Sequence, residues 1–72
     1  MPYVEVKITR EGNTPEQKAA VIRGITSVLA EVLGKDPATT HVVIQEVELD
    51  DWGLRGVPVR ELRKERADPR PQ

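Results

Sequence analysis

Residues 41–47 read HVVIQEV, and four of the seven, Val42, Val43, Ile44 and Val47, are β-branched. Stiff, branched side chains of this kind suit a pleated strand better than a helix. What precedes the stretch decides how that strand is joined to the rest of the chain. The segment KDPATT at 35–40 interrupts the pattern, and before it a single long apolar periodicity runs back to residue 15.

In that periodicity Val21, Ile22, Ile25, Val28, Leu29, Val32 and Leu33 recur at spacings of three and four. One broad apolar stripe of a helix results, with Arg23, Ser27 and Glu31 turned away from it. Thr14-Pro15-Glu16-Gln17 supplies its start: Thr14 as N-cap, Pro15 at the first helical position and Gln17 to close a capping box. Gly34 is its natural stop. Gly24 lies inside the helix, where glycine costs about 1 kcal/mol relative to alanine; it marks either a close packing contact or a tolerated surface position.

Further back, MPYVEVKIT at 1–9 alternates Val4, Val6 and Ile8 with Tyr3, Glu5, Lys7 and Thr9. A period of two is that of a half-buried strand. Strand, helix and strand make one right-handed β-α-β unit with parallel strands, an α+β fold. Beyond residue 47, ELDDWGLRG at 48–56 breaks the pattern with acidic and glycine residues, VPV at 57–59 can pair briefly as an edge, and the polar remainder reads as a frayed helix or a tail. We divide the chain into one domain at 2–64 and a polar C-terminal tail at 65–72.

Such a unit is incomplete by itself. One helix covers one face of a two-stranded sheet and leaves the other face and both edges open. At 72 residues the chain is also small enough to bury only about 60% of the surface its unfolded form exposes. It has no Cys and a single His, which removes disulfides and a histidine-rich zinc site as staples. A closed homo-oligomer that pairs edges and covers bare faces follows.

Composition excludes several partners. Eleven basic against twelve acidic residues, with no Phe, one Tyr and one Trp, provide neither a basic face nor a stacking platform for nucleic acid. No apolar run approaches the ~20 residues of a membrane span, and the start lacks a basic-then-apolar signal. The expectation is a soluble cytoplasmic protein.

Met-Pro leading an alternating strand, the T-P-E-Q-K helix start at 14–18, the β-branched second strand and D-D-W-G-L-R-G at 50–56 together resemble the 4-oxalocrotonate tautomerase family over residues 2–64. That resemblance implies β-α-β subunits assembled as homohexamers, trimers of dimers, and an isomerase whose catalytic base is an amino-terminal proline. It implies no metal and no organic cofactor, and a small enol or keto acid as substrate.

Carried onto this sequence, the base is Pro2, a secondary amine once Met1 is removed. A strand that begins with a residue lacking an N–H is the structural alternative for Pro2. Trp52 takes the position of the family's pocket aromatic, where it keeps the proline dry and packs on the substrate; the alternative is a plug in a subunit interface. Desolvation disfavours the ammonium and keeps the amine available as a base.

The enolate-like transition state calls for cationic or hydrogen-bonding partners. The family's two substrate-binding arginines fall here on Asn13, in the loop before the helix, and His41, at the start of the second strand. Arg10, three residues earlier in that loop, and Arg55, reaching from a neighbouring subunit, are the candidate replacements. A substrate with one carboxylate, or an aryl enol such as phenylenolpyruvate, fits this set better than a dicarboxylate. Two other readings stand beside it: hydration or dehalogenation of 3-halo-acrylates with Glu46, Asp50 or Asp51 activating water, and a non-catalytic oligomer in which Pro2 is structural.

Overall fold

A computed structural model describes residues 1–66. Strand β1 (Tyr3–Thr9) leads into helix α1 (Pro15–Leu33) and strand β2 (His41–Val47). The two strands pair in parallel and in register from Tyr3↔His41 to Thr9↔Val47. Both burial patterns alternate, so Val4, Val6 and Ile8 share the helix-facing side with Val42, Ile44 and Glu46, as the period of two requires.

The capping residues fix where α1 begins and ends. Thr14 is extended, its hydroxyl accepts from the Gln17 N–H, and the Gln17 side chain accepts from the Thr14 N–H, a complete capping box. Gly34 closes the helix at φ +68°, with its N–H donating to the Ala30 carbonyl, a conformation that glycine adopts without steric cost. A Cβ added at Gly24 meets nothing within 4 Å, so within one subunit this glycine marks open surface and no close contact.

After β2 a single helical turn (Leu49–Asp51) leads to a small hairpin of β3 (Gly53–Leu54) and β4 (Val57–Pro58), then to helix α2 (Val59–Arg66). The pairing expected of VPV therefore occurs at Val57–Pro58, against β3 rather than against the main sheet. Arg55 and Gly56, at the hairpin tip, have φ of +58° and +79°, the pair of left-handed residues that a two-residue type I′ turn demands. Of the two readings of the polar remainder, helix holds through Arg66 and so crosses the 64/65 boundary drawn from sequence; residues 67–72 of the tail lie outside the described residues.

One ion pair, Arg63 Nη1 to Glu11 Oε1 at 2.7 Å, ties this segment to the β-α-β unit, and another, Arg60 Nε to Asp50 Oδ1 at 2.6 Å, closes the segment on itself. The core, by contrast, is thin. Among the described residues no apolar side chain is buried. The stripe on α1 is wider than two strands can cover: Ile25 and Leu29 are half-buried at its centre, while Val28 at 54% and Val32 at 74% exposure form one bare margin. Tyr3 and Val43 stand bare on the opposite face of the sheet. Among the described residues no helix is long and apolar enough to cross a membrane.

Candidate active site

The strand ladder fixes Pro2 before any tertiary contact does. Its carbonyl accepts from the His41 N–H at 2.9 Å, one rung before the Tyr3↔His41 pair. The proline is half-buried, whereas Met1 ahead of it is exposed. Alternation carried one residue past the strand start puts Pro2 on the helix-facing side with Val4, and leaves the exposed His41 side chain on the other face with Tyr3. His41 thus meets Pro2 through its backbone, while its imidazole stands across the sheet.

Arg10 and Asn13 gather at the opposite end of the strands. Arg10 follows β1 directly and its N–H extends the ladder to the Val47 carbonyl at 2.8 Å. Its guanidinium is already engaged: Nε lies 2.6 Å from Glu48 Oε2 and Nη1 lies 3.3 Å from Glu46 Oε1. Asn13 Nδ2 donates to the other Glu46 oxygen at 3.4 Å, and Lys18 Nζ sits 3.0 Å from Oε1. These partners, the Lys18 hydrogen bond foremost, hold the Glu46 carboxyl below its ordinary value of 4.5.

Trp52 stands five positions beyond Val47, past the helical turn, and is half-buried. Its carbonyl accepts from the Val59 N–H at 2.8 Å, which fixes the indole's backbone at the point where α2 begins. Arg55 is exposed at the hairpin tip.

One subunit therefore brings together Arg10, Asn13, Glu46 and Glu48, and separately Pro2 with the backbone of His41. It does not join the two groups. Eight residue-to-residue steps of extended chain take Pro2 to Arg10, roughly 26 Å at a rise of ~3.3 Å per residue. The carboxylates of the water-activating reading share the far end: Glu46 and Asp50 are committed to ion pairs, and Asp51 is exposed beside them.

Sequence reading passed over the pairing of Glu46 with Lys18, yet the signal is in the spacing. Val42, Ile44 and Glu46 occupy one face of β2, and Lys18 lies three and seven residues before Val21 and Ile25 in the apolar stripe of α1. One charge interrupts each apolar face, negative Glu46 on β2 and positive Lys18 on α1, and the two meet. Beside them lies an open recess of about 90 Å³ lined by Val6, Ile8, Val21, Ile44 and the stem of Lys18.

The chain matches the family model described as tautomerase enzyme over residues 2–62. It is 51% identical over 65 residues to the probable tautomerase K2 of Dickeya dadantii (strain 3937), an alignment covering 90% of this chain and 97% of that protein. It is 40% identical over 62 residues to the 2-hydroxymuconate tautomerase of Pseudomonas putida, covering 86% and 97%. Among solved structures it resembles a heterohexamer 4-oxalocrotonate tautomerase from Chloroflexus aurantiacus J-10-fl, with a TM-score of 0.78 and 30% identity over 88% of this chain and all of that one. On these matches, and on the parallel β-α-β unit whose first strand follows Pro2, the chain belongs to the tautomerase family, in its 4-oxalocrotonate tautomerase branch.

Proposed function

We propose that this protein catalyses enol-to-keto tautomerisation of a 2-hydroxydienoate or aryl-enolpyruvate substrate, with Pro2 as general base after removal of Met1. The observation that carries the reading is the placement of Pro2: half-buried and pinned through its carbonyl by the ladder bond from His41. That bond holds the residue through its carbonyl, and removal of Met1 would free its nitrogen as a secondary amine. In its neutral form the amine takes the hydroxyl proton of the enol, and as ammonium it returns a proton to carbon, so it ends each turnover as it began.

Negative charge gathers on the oxygen between these two transfers. Arg10, Arg55, His41 and Asn13 are the groups that would stabilise it or hold the substrate carboxylate, with Trp52 excluding water. Because Pro2 and Arg10 are a strand's length apart within a subunit, the complete site is made where subunits meet, one supplying Pro2 and another the cluster around Arg10. Self-association is supported by the uncovered apolar margins of α1 and by the assembly of the Chloroflexus relative as a heterohexamer; for this chain we propose a homohexamer, a trimer of dimers.

The test is intact mass combined with turnover. The natural protein should lack Met1, and Pro2→Ala should lower kcat for ketonisation of phenylenolpyruvate by about 100-fold or more without altering the assembly. Retention of Met1, or an unchanged rate, removes Pro2 from the chemistry.

A further inference from the structure

The charges around Arg10 cancel, and the way they cancel has a consequence for which acids the site accepts. Lys18, at 3.0 Å, already compensates Glu46, which Asn13 also contacts. Glu48 is then the surplus carboxylate, and it sits 2.6 Å from Nε of Arg10. Two cations, Arg10 and Lys18, face two anions, Glu46 and Glu48, so the cluster that holds Arg10 carries no net charge.

We propose that Glu48 is a specificity-determining residue: by occupying Arg10 it sets the site to accept an acid with one carboxylate in preference to the corresponding dicarboxylate. A second carboxylate arriving here must displace Glu48 from the guanidinium or lie beside it unpaired. Either course opposes binding, because like charges repel and a desolvated carboxylate requires a partner. Removing the charge of Glu48 leaves Arg10 as an uncompensated cation with its Nε edge open to a ligand.

The pair is a favourable object for mutation. Both side chains are more than half exposed, at 56% and 54%, and ion pairs so exposed contribute little to folding. Glu48→Gln keeps the shape and removes the charge. The inference rests on the proposed role of this end in carboxylate recognition, but it can be read without turnover, so its failure and that of the Pro2 mechanism are separable.

The experiment is calorimetric titration of the assembled protein with two unreactive six-carbon dienes, sorbate with one carboxylate and muconate with two. The ratio of muconate to sorbate Kd should fall about tenfold in Glu48→Gln, the gain expected of one charge-assisted hydrogen bond. The double variant Arg10→Ala/Glu48→Gln should lose that gain. An unchanged ratio, a gain that survives without Arg10, or no binding of either acid to any of the three proteins overturns the inference.

Discussion

At the scale of single residues, the protein places a strand-end proline and a charged cluster at opposite ends of the same two strands. The cluster is tested through pH. Glu46 titrates below its ordinary 4.5 because Lys18, Asn13 and Arg10 favour its charged form. A carboxyl whose folded value is depressed adds stability that is fully present above its unfolded value and is lost as pH falls through the folded one. The gap in Tm between wild type and Glu46→Gln should therefore be largest above pH 4.5 and should close below it. Glu11, depressed chiefly by its hydrogen bond from Arg63, is common to both proteins and cancels from the gap. A gap that stays constant through acid would place the role of Glu46 in packing rather than in charge.

At the scale of elements, α1 is the piece whose limits are most firmly set by its own sequence. Thr14→Ala should lower stability by about 1 kcal/mol per subunit through loss of the capping bond, read as a lower midpoint in denaturant. Gly24→Ala should act in the opposite sense, raising stability by about 0.5–1 kcal/mol, since the helix gains propensity and the new methyl meets nothing in its own subunit. A loss there would mean that a neighbouring subunit packs against residue 24.

The same contrast separates what was legible in the sequence from what was not. β1, β2 and both ends of α1 can be read because each depends on local alternation, a cap or a left-handed glycine. The 53–58 hairpin depends on a left-handed Arg55, which nothing in its residue type announces. The candidate site is legible only as a set of residues. Arg10 appears in the sequence as a free cation in the loop before the helix, and it is a pairing 38 residues away with Glu48 that neutralises it.

At the scale of the whole molecule, the subunit is a half-finished layer. Val28 and Val32 on α1, and Tyr3 and Val43 across the sheet, are apolar surface that a single chain leaves in water. Replacing Val32 with Lys should weaken the assembly and lower its mass in sedimentation, whereas the same change at exposed Glu31 should not. If assembly also completes the site, with Pro2 from one subunit facing Trp52 from another, two inactive variants must rescue each other. The decisive measurement mixes Pro2→Ala and Trp52→Ala subunits, dissociates and reassembles them, and follows ketonisation of phenylenolpyruvate. Random mixing leaves one site in four with both residues intact, so activity should return to about a quarter of wild type from two nearly inactive parents. No recovery in assemblies whose mass proves them mixed would contradict a site built around Pro2 between subunits.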